Sequence, residues 1–234
     1  MKTPVVLLPA LLCNAGLFIH QIKAFENSCD IFVPENGTHT DVQSAARHIL
    51  KQMPPRFVLG GISMGGYIAF EILRQEPERV AGLILMDTNA RSDLPAAAEN
   101  RQKMIMTARE EGIRSVISPA LLDIILPENR TDITRHILTR MAVSTGVEKY
   151  VNEQTLIMNR PASEELLPKI SCPVLVMGGD RDVLSPPQAM DEIAGQIPDC
   201  IHVIIEKSGH LPPLENPAAV TSAWRLFFDK IRLG

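Results

Sequence analysis

Six short runs of Val, Ile and Leu recur along the chain, at Val5–Leu8, Asp30–Val33, Phe57–Gly61, Gly82–Met86, Val174–Met177 and Ile201–Ile205. They show little alternation of apolar and polar residues. That is the pattern of parallel strands covered on both faces, not of strands with one wet face. Amphipathic stretches separate them. Thr40 with Gln43 reads as a capping box ahead of a helix over Val42–Met53, and a second helix over Met64–Gln75 begins at Ser63. Ser185-Pro186 and Asn216-Pro217 each read as an N-cap followed by a first-turn proline. Strand and helix alternating at this spacing predict an α/β fold, with a mostly parallel sheet of about six core strands and helices on both faces.

One segment breaks the alternation. Between about Ser92 and Lys169 the apolar residues recur at spacings of three and four, as in Met104-Ile105-Ala108 and Ile133-Ile137-Leu138-Met141. Gly112, Pro127, Gly146 and Pro161 punctuate the stretch. Four or five short helices inserted between two strands are expected. The division is a core of 1–91 and 169–234 with an all-helical insertion over 92–168.

At 234 residues the chain is long enough to bury a core without disulfides. Hydrophobic residues at 45% and charged residues at 21% exclude a wholly disordered chain and a polytopic membrane protein. The net charge of −4, with no basic run, argues against a nucleic-acid partner. Cys13, Cys29, Cys172 and Cys200 form no CxxC pair, so no metal site is expected, and they read as free thiols in a reducing compartment. Val5 to Cys13 has a superficial likeness to a leader with a lipidated cysteine. Pro9 breaks the apolar run and Leu12 is bulky where a small residue is needed, so a buried strand and a cytoplasmic location are expected, with no membrane association.

The chemistry centres on Gly61-Ile62-Ser63-Met64-Gly65, a Gly-x-Ser-x-Gly motif between an expected strand and an expected helix. A serine at such a turn projects its hydroxyl from the carboxyl end of the sheet, and the helix N-terminus behind it offers N–H groups to a developing oxyanion. A serine nucleophile needs a base. Of six histidines, His210 follows the last expected strand in a loop, whereas His48 falls in a helix, His202 in a strand and His136 in the helical insertion. The base needs an orienting carboxylate. Asp182, in the loop after Val174–Met177, is favoured over Asp180 at the strand tip and over Asp87 at the end of Gly82–Met86. The resulting order is Ser63, Asp182, His210.

The whole chain resembles the α/β-hydrolase fold superfamily, in its small carboxylesterase and lactonase type with a helical cap. The resemblance rests on Gly-x-Ser-Met-Gly-Gly at 61–66, Gly-x-x-Asp-x-x-x-Pro at 179–186 and Gly-His-x-Pro-x-x-Glu-x-Pro at 209–217. It implies that the insertion is a cap over the site. It also implies that the backbone N–H groups of Leu11 and Met64 bind the oxyanion, although Pro9-Ala10-Leu11-Leu12 stands where many relatives carry His-Gly. The chain starts about two strands late relative to eight-stranded members.

The expected reaction is two-step acyl transfer on a small to medium ester, with no metal or organic cofactor. An enol-lactonase, a carbon–carbon bond hydrolase and a non-catalytic binding protein on the same fold are the competing readings. Arg91 is either a contact for a substrate carboxylate or a structural ion-pair partner. Tyr67 and Phe18 are ambiguous in the same way; most of Met104, Met106, Met141, Met158 and several Leu and Ile residues of the insertion are expected to form its own core, with a few facing the pocket. The expected partner is a small-molecule ester or lactone, and the sequence is compatible with a homodimer.

Overall fold

Each apolar run becomes a strand. The computed structural model describes residues 2–35 and 38–233. Its strands are β1 (Thr3–Leu8), β2 (Cys29–Phe32), β3 (Phe57–Ile62), β4 (Val80–Met86), β5 (Val174–Gly179) and β6 (Cys200–Ile205). All neighbours pair in parallel, in the order β2-β1-β3-β4-β5-β6. The helices are α1 (Ile19–Phe25), α2 (Val42–Leu50), α3 (Met64–Gln75), α4 (Pro95–Glu111), α5 (Asp132–Met158), α6 (Pro187–Ala194), α7 (Pro212–Glu215) and α8 (Pro217–Leu233).

In the four central strands β1, β3, β4 and β5 both parities are apolar because each faces its own core, whereas the edge strands β2 and β6 leave Asp30, Phe32, His202 and Ile204 exposed. Val5, Leu7, Val58 and Ile84 pack on one side with Phe25, Trp224 and Phe227 of α1 and α8. Val6, Leu8, Leu59 and Leu83 pack on the other with Ile49, Ile72 and Met190 of α2, α3 and α6. At ~25 cal/mol per Å² of apolar surface, this two-sided burial is the main favourable term holding the sheet.

Two caps differ from expectation. The α2 N-cap is Asp41, not Thr40: its backbone is extended (φ −143°, ψ 151°) and its carboxylate accepts the Ser44 N–H at 2.7 Å. The helix also ends at Leu50, short of Met53. Helix α6 starts one residue late, at Pro187, with Pro186 at the cap position. Ser185 is buried ahead of it and caps nothing. Asn216 does cap α8, accepting the Ala219 N–H at 3.3 Å.

Between β4 and β5 the described residues contain no strand. Helix α4 and the two helical segments that make up α5 fill most of this stretch, with single tight turns at 113–116, 118–122, 127–129 and 164–169. Gly112 (φ 86°) ends α4, and Gly146 (φ 73°, ψ 174°) has a non-helical backbone that divides α5 into two helical segments at a kink. Among the described residues no helix is long and apolar enough to cross a membrane. Cys13 is buried, and Cys13, Cys172 and Cys200 carry free thiols.

Candidate active site

Ser63 sits on the turn from β3 into α3 with φ 52° and ψ −116°, a left-handed backbone that costs about 1–3 kcal/mol for a non-glycine residue. The turn is held from outside. The Ser63 N–H donates to Met86 O at 3.0 Å, and the Thr88 hydroxyl donates to Ser63 O at 2.9 Å. The flanking glycines are steric necessities. A Cβ on Gly61 would lie 2.5 Å from Gly65 O, and one on Gly65 would lie 2.0 Å from Leu8 O. Only bare backbone lets α3 start this close to β1 and β3.

His210 stands in the loop between β6 and α7, and Asp182 in the loop between β5 and α6. His210 Nε2 lies 2.8 Å from Ser63 Oγ, and His210 Nδ1 lies 2.7 Å from Asp182 Oδ2. Asp182 and His210 are buried, while Ser63 is half-buried. The other Asp182 oxygen accepts the Leu184 N–H at 2.8 Å, which fixes the carboxylate. The His210 loop is fixed by Glu215. Its carboxylate accepts the N–H groups of Gly209, Leu211 and Leu126 and the Asn129 amide, each at 2.9–3.0 Å. The His210 N–H itself donates to Ile124 O. Asp180, the rival acid, instead accepts the Ser208 N–H. His48 bonds to Gln52, His202 pairs with Asp191, and His136 is exposed on α5.

Ser63 and His210 open onto a cavity of about 540 Å³. Leu11 lines it, on the loop after β1. That loop is pinned where Leu12 (φ 62°) donates its N–H to the buried Glu153 carboxylate of α5 at 3.0 Å. Among the described residues, the N–H groups of Leu11 and Met64 have no protein acceptor.

Residues 48–217 match the family model of the alpha/beta hydrolase fold. The chain belongs to this family. A thermophilic esterase from Thermogutta terrifontis, solved with malate bound, superposes with a TM-score of 0.88 at 32% identity, covering 99% of this chain and 91% of that one. An enol-lactonase from Burkholderia xenovorans LB400 superposes with a TM-score of 0.86 at 20% identity, covering 98% and 92%. A pimeloyl-[acyl-carrier protein] methyl ester esterase of Neisseria meningitidis is 25% identical over 197 residues, or 82% of this chain and 77% of that one. This alpha/beta hydrolase is an enzyme, similar to carboxylic ester hydrolases.

Some residues of the hydrolase's site resolve an alternative that its sequence left open, and others carry no sequence signal. Arg91 is an exposed rim residue paired with Glu192 at 2.6 Å. Tyr67 lines the cavity, but Phe18 lies in the core. None of Met104, Met106, Met141 and Met158 lines the cavity: Met141 is buried among its helical neighbours and Met106 is exposed. The helical segment lines it instead with Ala97, Arg101, Ala120, Ile124, Ile157 and Arg160. Arg101 and Arg160 carried no motif that would have singled them out.

Asp87 is fully buried at the tip of β4 with φ 40°. One oxygen accepts the Gly179 N–H at 2.8 Å, and the other has no hydrogen-bond partner among the described residues. Ligand-type atoms of Asp87, Asp182 and His210 lie within 4.8 Å of one another. Burial, and then the Asp182 charge, push the Asp87 carboxyl well above the ordinary carboxylate range.

Proposed function

We propose that this hydrolase cleaves small to medium carboxylic esters by acyl transfer through Ser63, with His210 as base and Asp182 as its orienting acid. The carrying observation is the hydrogen-bonded chain Asp182–His210–Ser63, at 2.7 and 2.8 Å, opening onto the cavity. With its Nδ1 proton held by Asp182, His210 presents an unprotonated Nε2 to the serine hydroxyl. Nε2 takes that proton as Oγ bonds to the carbonyl carbon and the carbonyl electron pair moves onto oxygen. The N–H groups of Leu11 and Met64 receive this oxyanion, each donor being worth about 3–4 kcal/mol in reactions of this type. Collapse breaks the bond to the leaving alcohol, which takes the proton from His210. Water then repeats the sequence on the acyl-enzyme. These steps need no metal or organic cofactor.

In this reading residues 92–168 form the cap that walls the cavity. The second reading, a lactonase, uses the same steps on a cyclic ester. It is favoured by the basic side chains on the cavity wall, and the related esterase was solved with malate, a dicarboxylate.

The test is hydrolysis of p-nitrophenyl acetate, butyrate and octanoate. Ser63→Ala is expected to lower kcat at least about a thousandfold while the protein stays folded. Turnover that survives the substitution undiminished would refute Ser63 as the nucleophile. The chain-length profile sizes the acyl side of the cavity.

A further inference from the structure

Part of the cavity wall is cationic, and its charge is only half answered. Arg101 on α4 and Arg160 just after α5 share a single carboxylate. Arg101 Nε donates to Asp93 Oδ2 at 3.0 Å, and Arg160 Nη1 donates to Asp93 Oδ1 at 2.8 Å. The side chains of Asp93 and Arg160 are 5% and 6% exposed. The remaining bonds of the two arginines go to neutral acceptors. Arg101 Nη1 donates to the Gln154 side chain, and Arg160 donates to the carbonyls of Arg91 and Ile157. The Arg160 guanidinium also lies over the Tyr67 ring, 4.2 Å from its centroid. Both forks are therefore held in place before any ligand arrives.

Each arginine keeps one nitrogen in reserve. Among the described residues, Nη2 of Arg101 and Nη2 of Arg160 have no protein acceptor, and neither is sealed from solvent. Two cations on one carboxylate leave a local excess of one positive charge. The other charged groups lining the cavity do not remove it. Arg91 and Glu192 pair with each other at the rim, and Glu164 forms no ion pair with either arginine. Holding a largely buried cation without a full counter-charge is costly, so an anion that completes the set binds favourably. Charge-assisted N–H···O bonds from the two Nη2 groups, one per arginine, suit the two oxygens of a carboxylate, and one excess charge balances a monoanion rather than a phosphate dianion.

We infer that Arg101 and Arg160, clamped by Asp93, form a carboxylate subsite in the same cavity as Ser63. The hydrolase then prefers esters or lactones that carry a free carboxylate, such as half-esters of dicarboxylic acids. This deepens the ester-hydrolase reading and rests on it.

The kinetic test is a ladder of monomethyl succinate, glutarate and adipate against methyl alkanoates of matched length, followed by proton release. The wild type is expected to show a kcat/KM at least about tenfold higher for the best half-ester than for its neutral match. Arg101→Gln, which removes the charge but keeps a donor for Asp93, is expected to cut that ratio at least about tenfold, chiefly through KM. Arg160→Lys keeps the charge but loses the fork, and is expected to cut the ratio less. A ratio at or below one along the whole ladder, or a ratio indifferent to both substitutions, would overturn the subsite.

A binding measurement separates this inference from the catalytic reading. Titrating monomethyl glutarate into folded Ser63→Ala by calorimetry is expected to give saturable binding, weakened at least about tenfold by adding Arg101→Gln. Binding without turnover by the wild type would refute the ester chemistry and leave the subsite standing. Turnover of neutral esters with no binding of the half-ester would refute the subsite alone.

Discussion

Asp87 shows what a single buried carboxyl does to the energetics of the site. Its native state holds a proton more tightly than the unfolded chain does, because burial and Asp182 disfavour its charge. Stability from such a group is full below the unfolded carboxyl pKa, near 3.9, and is lost as pH rises toward the native value. Asparagine cannot titrate, yet it keeps an acceptor for the Gly179 N–H and offers a donor toward Asp182. Asp87→Asn is therefore expected to gain stability relative to wild type between pH 5 and pH 8, by at most about 1.4 kcal/mol per pH unit. Urea unfolding followed by Trp224, the sole tryptophan and fully buried, measures the difference at each pH. A gap that does not widen with pH would show that Asp87 is ionised in the native state. At this scale the meeting of Ser63, Asp182 and His210 was legible in the sequence, because each follows an apolar run at the carboxyl end of the sheet. Asp87 met the same criterion as an acid. What could not be read was its depth, since the Asp182 charge beside it comes from a different strand.

The elements were legible to within a residue or two wherever an apolar run met a turn residue. They were less so where two capping residues stand side by side. Thr40 and Asp41 are both good caps, and the extended backbone at Asp41 decides between them. Gly146 was legible as an interruption, and its non-helical backbone divides α5 at a kink. Its φ of 73° disfavours a side chain even though nothing lies within 4 Å of the added Cβ. Gly146→Ala is expected to cost about 1 kcal/mol through backbone strain, read from the urea midpoint, and a neutral result would mean that the kink relaxes. Glu215 belongs to a motif found in the sequence, but its work was not apparent there. It accepts four donors from two loops and so fixes where His210 stands. Glu215→Ala is expected to cost about 2–4 kcal/mol and to lower kcat/KM as the loop loosens. Glu215→Gln should recover part of both, and an Ala variant with full activity would remove Glu215 from any positioning role.

For the whole molecule, the count of apolar runs set the number of strands, and strand–helix alternation set the parallel direction. The cavity was the least legible part. Its wall draws on the loops after β1, β3, β4, β5 and β6, together with α4, α6 and the C-terminal end of α5, and no local pattern reports which side chains converge. The methionines of the helical segment illustrate this: they suit a pocket as well as a core, and Met104 and Met141 go to the core while Met106 is exposed. The parallel sheet also divides the molecule by tolerance to editing. Ser63, Asp182 and His210 all follow the carboxyl ends of their strands, so the turns that feed the amino ends stand about 20 Å away, the length of a six-residue strand. The exposed turn at Pro77 and Glu78, ahead of β4, is such a place. A short flexible insertion between these two residues should leave kcat/KM on a neutral ester within about twofold while lowering the urea midpoint, which makes it the natural seam for grafting a reporter or opening new chain ends.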